Sequence, residues 1–516
     1  MRVALTPLDF LERARRYYAS LEGVVDGTRR LTYGEFASRA HRLAHLLRGS
    51  FGVGPGDRVA YLCGNTLELL EAYYGVLLAG GILTPLNIRL APSEAQFVLD
   101  DCGASLLVLH PDHAELGNHL APKDLLVLDD AYEEALSVQP DTAADPGEID
   151  EDAVCEIFYT SGSTGTPKGA MLTHRNLATH ATDSALTLEL THADVILHTI
   201  PLFHVNGWGT PHYVTMLGAK HVMLPRFDAG EVLRLIDDEA VTRLSLVPTT
   251  AGALLDHADI DRRDLSSLVQ VTVGGAPPGP TMIATLEERL GCEVICGYGL
   301  TEAAPQLTKA VNLRSHAQLP RERQIAKRST TGLPNVGVDL RVLDDEDGEV
   351  AWDGRAIGEI CVRSNHVMTG YWNAPEATAE VLQRGWLRTG DLATVDDEGY
   401  VTIVDRRKDL IISGGENIAS VEVESTLLEH PQVAEAAVVG MPDVQWGEVP
   451  RAFVVVRAGL DSGAGARRPP TPDELIEWVR ARLARFKAPK RVEIVEELPK
   501  GGTGKILKGE LRSRPL

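Results

Sequence analysis

The chain has 516 residues, 44% hydrophobic and 24% charged, a globular composition that excludes disorder or coiled coil as the main state. Its length exceeds the about 250–300 residues that one core supports, so two or more domains are expected. A net charge of −23 makes it a poor candidate for coating nucleic acid or an anionic membrane, and no nucleic-acid partner is expected.

Six cysteines are too few for a disulfide framework and fit a reducing compartment. Cys292 and Cys296 stand four apart, but no second Cys/His pair accompanies them, so they read as buried apolar residues. The start of the chain lacks an apolar stretch with a small-residue cleavage site. The longest apolar stretch, Tyr74–Leu86, is too short to cross about 30 Å of hydrocarbon. No integral membrane segment is expected, and the cytoplasm is the expected compartment.

Along the chain, short apolar runs alternate with amphipathic segments. Arg58–Cys63 reads as a buried strand, Leu67–Leu78 as a helix, and Ser105–His110 and Val269–Val273 as further strands. This alternation predicts parallel sheets covered by helices. Asp228 and Glu231 ahead of Val232, Leu235 and Ile236 predict a capped helix start within Asp228–Val241. Asp141–Asp152 and Leu313–Pro334 read as loops, and Asp461–Pro472 as a Gly/Pro connection. A helix follows with Thr471 as cap, Pro472 in the first turn and an apolar stripe of Leu475, Val479, Leu483 and Phe486. Residues 480–516 carry a local charge of +7, which suits a polyanionic ligand better than the acidic total suggests.

Tyr159–Gly169 reads YTSGSTGTPKG directly after the apolar run Cys155–Tyr159. Glycines admit backbone N–H groups close to an anion, hydroxyls add donors, and Lys168 adds charge. The spacing is not that of a Walker A loop. A nucleophile elbow is excluded too, because Ser161 stands where its first glycine is required.

The longer string YTSGSTGTPKGAMLTH resembles the signature of the AMP-forming adenylating superfamily, which contains acyl- and aryl-CoA synthetases, adenylation domains of peptide synthetases and beetle luciferases. Gly297–Glu302 (GYGLTE), Thr389–Asp391 (TGD), Asp405–Ile418 (DRRKDLIISGGENI) and Pro499–Lys508 (PKGGTGKILK) resemble further family motifs in family order. The resemblance implies an α/β fold: a large N-terminal domain of mixed and parallel sheets covered by helices (1–404), a hinge (405–409) and a small mobile C-terminal α/β domain (410–516). It also implies a reaction in two halves. A carboxylate attacks the α-phosphate of Mg·ATP to give acyl-AMP and pyrophosphate, and the thiol of coenzyme A then displaces AMP.

The resemblance gives residues their roles. Thr160, Ser161, Gly162, Ser163, Thr164, Gly165, Thr166, Pro167 and Lys168 would wrap the β- and γ-phosphates. Gly274, Gly275, Ala276 and Pro277 would offer bare backbone to adenine, with Gly297, Tyr298 and Gly299 beside it and Tyr298 stacking. Thr301 would donate to the α-phosphate, and Glu302 with Thr160 would hold Mg²⁺, whose preference for hard oxygen suits them. Asp391 would take the ribose diol and Arg406 the ribose or phosphates. Lys505 would bridge carboxylate and α-phosphate, and Lys408 would be the pivot of the mobile domain. Gly414, Gly415, Trp446, Phe486 and Lys490 are the candidates for coenzyme A, with Lys487 beside them. Ala488 stands where some aryl-CoA ligases have arginine.

For the acid, Pro201–Trp208 (PLFHVNGW) resembles the acyl-pocket motif of fatty-acyl-CoA synthetases. His204 would lie near the carboxylate, and Trp208 and Gly274 would line the pocket. The small residues Gly207 and Ala276 favour a tunnel, so a medium- or long-chain fatty acid is the first expectation and an aryl acid such as a cinnamate the second. Alternatives are an adenylating enzyme that loads a carrier protein, a luciferase-like oxygenase and a non-catalytic nucleotide sensor. The chain ending at residue 516 without a carrier domain favours free coenzyme A. A homodimer is left open.

Overall fold

The computed structural model describes residues 1–160, 167–276, 278–414, 416–457, 468–500 and 506–514. The chain divides into two compact units, Met1–Leu340 with Val362–Arg388, and Arg341–Cys361 with Thr389–Leu516. The segment Asp405–Asp409 falls inside the second unit.

The first unit holds two sheets. In one, the strands Ile82–Pro85, Arg58–Leu62, Leu106–Leu109 and Leu125–Val127 run parallel beside Val154–Thr160, and Lys168–Thr173 and Gly370–Tyr371 extend the edge antiparallel. In the other, Glu293–Gly299, Gln270–Val273, Arg243–Leu246, Val195–Leu197, Lys220–Val222 and Glu22–Asp26 form a parallel centre. Gln306–Lys309 and Leu333–Pro334 form one antiparallel edge, and Arg29–Thr32 the other. The expected strands and their parallel order are present, each within a residue or two at its ends.

The helix Leu67–Leu78 has the expected limits, and all its residues are buried. That explains why its apolar residues form no single stripe: a helix packed on every side has no wet face. It packs against Tyr33–Phe51, which Thr32 and Glu35 cap reciprocally and which Gly52 ends at φ 63°. Asp228 accepts from the Glu231 N–H at the start of Ala229–Glu239, as expected. Leu313–Pro334 differs from the expected loop. It contains a 3₁₀ turn, Arg314–Gln318, and a helix, Arg321–Arg328. The helix buries Ile325 and anchors Arg328 on Glu287 at 2.7 Å, so charge pairing replaces the apolar stripe that would have revealed it.

In the second unit, strands Glu416–Ile418, Ile411–Ser413, Gly447–Val456, Val433–Asp443 and Arg491–Ile494 form a sheet. Ser420–Leu428 and Pro472–Arg480 bury Val423, Leu427, Leu475 and Val479 in the same core. Thr471 and Glu474 form the expected capping box, with Pro472 at the first position. The apolar stripe ends early: Phe486 lies in the 3₁₀ turn Arg485–Lys487, 44% exposed.

The six cysteines are free thiols. Burial pushes Cys292 and Cys296 up to about 12, which fits their reading as apolar residues. Among the described residues no helix is long and apolar enough to cross a membrane.

Candidate active site

The phosphate-loop string joins two antiparallel strands. Thr160 closes Val154–Thr160 and Lys168 opens Lys168–Thr173, and the two residues are paired across the ladder. The ladder therefore fixes both feet of the loop, while Ser161, Gly162, Ser163, Thr164, Gly165 and Thr166 lie outside the described residues. Pro167 and Lys168 are half-buried.

Glu302 comes to the same strand pair. Its segment Thr301–Ala303 is a 3₁₀ turn after Glu293–Gly299, and Thr301 is buried. Gly299 is required there, because a Cβ would stand 2.0 Å from the Pro305 carbonyl oxygen. Tyr371 pairs with Ala170 and donates its hydroxyl to Glu302 Oε1 at 2.6 Å. The Lys168 ammonium sits 5.5 Å above the Tyr371 ring. The main chain is tied in as well, since Met368 N–H donates to the Glu302 carbonyl at 2.9 Å and Trp372 N–H to the Gly169 carbonyl at 2.7 Å. Burial, together with Glu302, raises the Tyr371 hydroxyl, so it stays a donor. Sequence reasoning missed Tyr371, whose only signal is an aromatic pair after a glycine in GYW.

The motif Pro201–Trp208 folds unusually. His204 precedes five consecutive residues with positive φ, from Val205 at 37° to Gly209 at 89°. A β-branched residue and a tryptophan in this region are strained, so the surroundings must hold them there. Asn65 supplies much of that hold: its side chain donates to the His198 and Ile200 carbonyls at 2.8 and 2.9 Å and accepts from Leu202 N–H at 2.7 Å. Tyr73 and Tyr74 donate to the Leu202 and Pro211 carbonyls at 2.6 and 2.8 Å. Beneath, buried Glu156 bonds to Asn206 Nδ2 at 3.2 Å and His212 Nε2 at 2.9 Å. These supporting residues were not identified from sequence either.

The strained turn brings Trp208 against Gly274. A Cβ on Gly274 would stand 2.7 Å from the indole Cη2 and 3.1 Å from the Gly297 carbonyl oxygen. Trp208 and Gly274, both expected at the acid pocket, are therefore neighbours, with the Gly297 carbonyl beside them. Gly275, at φ 79°, and Ala276 are exposed, and Tyr298 is half-buried across from Thr308. Pro277 lies outside the described residues.

In the second unit, Asp391 and Arg406 are paired across antiparallel strands, with Arg406 Nε 3.4 Å from Asp391 Oδ1. Asp391 is buried and Arg406 exposed. The turn around Lys408 is pinned on both sides. Buried Asp405 accepts from Ser420 N–H at 2.6 Å, and Arg512 reaches the Lys408 carbonyl at 3.1 Å and Asp409 at 2.6 Å. Gly414, at φ 60°, donates its N–H to the Trp446 carbonyl at 2.7 Å, and a Cβ there would meet the indole at 2.6 Å. Trp446 and Phe486 are each 44% exposed and Lys490 is exposed, so these three are accessible. Lys487 is instead committed to Glu422 at 2.6 Å. Gly415 and Lys505 lie outside the described residues.

Comparison with known proteins identifies the family. Residues 10–372 match the family model of the AMP-binding enzyme, and residues 422–505 that of the AMP-binding enzyme C-terminal domain. A feruloyl-CoA synthase of Amycolatopsis is 41% identical over 97% of both chains. A long-chain-fatty-acid–CoA ligase of Thermus thermophilus is 39% identical over 98% of this chain and 95% of its own. The crystal structure of an anthranilate CoA ligase in complex with anthranoyl-AMP superposes with a TM-score of 0.88 at 27% identity, covering 99% of this chain and 98% of that one. The chain belongs to the AMP-binding enzyme family. Within it, it is an AMP-forming acid–thiol ligase, joining an acyl or aryl acid to coenzyme A at the expense of ATP.

Proposed function

We propose that the acid is a flat aryl acid of the cinnamate type, converted to aryl-AMP and pyrophosphate and then to the aryl-CoA thioester and AMP. The observation that carries this reading is the closure of Trp208 on Gly274. Small residues in the motif favour an open aliphatic tunnel on sequence alone. An indole set against bare backbone instead offers one flat wall, which suits an aromatic ring better than a coiling chain. The feruloyl and long-chain relatives are nearly equally similar, at 41% and 39%, so the reading is supported by the Trp208–Gly274 contact rather than by kinship.

The chemistry needs no covalent intermediate with the protein. It needs two anions held together and donors aimed at the α-phosphorus. Thr160–Lys168 is assigned to the β- and γ-phosphates, and Thr301 to the α-phosphate. Thr160 and Glu302 fit Mg²⁺, since both offer hard oxygen and Tyr371 occupies only one Glu302 oxygen. Bound there, the cation would neutralise phosphate charge. Asp391 and Arg406 are assigned to the ribose, His204 to the carboxylate, and Lys505 to the bridge between carboxylate and α-phosphate. Gly274–Pro277 and Gly297–Gly299 are assigned to adenine. Gly414, Gly415, Trp446, Phe486 and Lys490 are assigned to coenzyme A. The pivot is Lys408, between residues 1–404 and a mobile 410–516.

The test is a panel of C4–C18 aliphatic acids and cinnamates, with AMP and thioester measured separately. Cinnamates should give the highest kcat/KM, with AMP release dependent on free coenzyme A. Turnover of aliphatic acids alone would overturn the reading.

A further inference from the structure

The strand Gln306–Lys309 ends on a lysine turned into the protein. Lys309 is 1% exposed. Its cross-strand neighbour is Gly297, and a Cβ there would stand 3.3 Å from Lys309 Nζ. The bare backbone of Gly297 is thus what leaves room for the ammonium. Its hydrogen bond among the described residues goes to Thr272 Oγ1 at 3.3 Å, and it forms no ion pair among them. An ammonium carries three donors. Leaving one buried with a single long bond and no counter-ion is among the most costly arrangements in a fold.

The neighbouring groups do not relieve it. Cys296 is a thiol that burial keeps protonated, and Arg243 is a like charge already paired with Asp194 at 2.9 Å. His180, also within electrostatic reach, is held neutral by burial. Desolvation accordingly brings the Lys309 ammonium down to about 7.

The position of this charge gives it a use. The Gly297 carbonyl lies 3.1 Å from the place of a Gly274 Cβ, and Trp208 closes the other side of Gly274. Thr272 is two residues before Gly274 on the adjoining strand, so its side chain shares a face with the Gly297 and Lys309 pair. Trp208, Gly274, Gly297 and Lys309 therefore follow one another along a single wall, with a hydrogen-bond donor at its far end.

We propose that Lys309 sets specificity for the end of the acid remote from its carboxylate, donating to an oxygen on the aromatic ring, so that the substrates are hydroxy- or alkoxy-substituted aryl acids. This rests on the aryl-acid reading above and adds the ring oxygen to it. A bare ring, or the methyl end of a fatty chain, would leave the ammonium's donors unmet. Sites built to bond a polar group discriminate strongly against analogues that lack it.

The test compares wild type with Lys309→Met, which keeps length and removes charge, on 4-hydroxycinnamate, 4-methoxycinnamate and cinnamate. The wild type should prefer the oxygenated acids, and Lys309→Met should lower that preference in kcat/KM by about 10- to 100-fold while keeping or improving cinnamate. Thr272→Val should act in the same direction more weakly, and it decides the matter if Lys309→Met fails to fold. An unchanged preference in the folded variants, or a wild type indifferent to ring oxygen, would overturn the role of Lys309 and leave the aryl reading standing. Rejection of all three acids with turnover of aliphatic ones would remove the aryl reading itself.

Discussion

Glu302 lies in a motif that the sequence displays, but what orients it does not. Tyr371 reaches it only because the Gly370–Tyr371 strand pairs with Lys168–Thr173, far away in the chain. A neutral phenol beside a glycine carries no spacing that marks it as functional. Tyr371→Phe removes one hydrogen bond to a carboxylate, worth about 1.5–3 kcal/mol. Adenylation, followed as pyrophosphate release, should fall about 10-fold or more at low Mg²⁺ and recover in part at high Mg²⁺. A uniform loss at every Mg²⁺ concentration would argue for a merely structural role. Lys505 stands out in the sequence as a lysine among glycines, and it lies outside the described residues. Lys505→Ala should lose about 10²–10³-fold in adenylation, the scale of one transition-state donor, while thioester formation from supplied acyl-AMP survives. Near-normal pyrophosphate release would refute that assignment.

At the scale of elements, legibility followed burial pattern. The capped start of Ala229–Glu239 and the long apolar run of Leu67–Leu78 were visible. Arg321–Arg328 was not, because its anchor is the Arg328–Glu287 pair. The left-handed run Val205–Gly209 was invisible for a deeper reason. Local preference opposes it, and long-range bonds from Asn65, Tyr73, Tyr74 and Glu156 impose it. The turn around Lys408 is the counterpart in the second unit, tied by Arg512 and Asp405. If it is the pivot, Lys408→Pro should keep adenylation and lose thioester formation, because proline fixes φ near −65°. Survival of both half-reactions would place the pivot elsewhere.

Over the whole molecule, the parallel architecture and the ordered motifs were readable, while the buried polar network was not, since a histidine in sequence carries no sign of its depth. Burial drives His180 and His221 well below their ordinary value of 6.5, His174 to about 4 and His198 to about 3. The network needs them neutral: His180 Nε2 accepts from Gln306 N–H at 3.1 Å, and His198 and His221 share one bond at 2.9 Å. Below pH 6.5 the unfolded chain takes up protons at these four sites that the folded chain refuses. Stability should therefore fall as pH drops from 6.5 toward 4, by up to about 1.4 kcal/mol per pH unit for each histidine. Glu71 opposes them, because burial raises its carboxyl to about 7 and the folded state then holds a proton that the unfolded state releases above 4.5. His41, His113 and His430 are lowered in the same way, and Asp9 and Glu424 are raised like Glu71; with seven groups against three, the thermal midpoint should decline between pH 7 and pH 5.5. A flat profile would mean that the histidines are not buried neutral.

The grip of Asn65 falls on carbonyls and an N–H rather than on side chains. The path of the segment that leads into the left-handed turn is thus held by a residue that grips main chain alone. Within the turn the identities are less free, since Asn206 is bound by Glu156 and a Cβ at Gly207 or Gly209 would stand 2.7 or 2.4 Å from Leu202 or His180. A change of acid is therefore expected to fall on Trp208 and the surface it meets at Gly274, and to leave the main-chain frame in place.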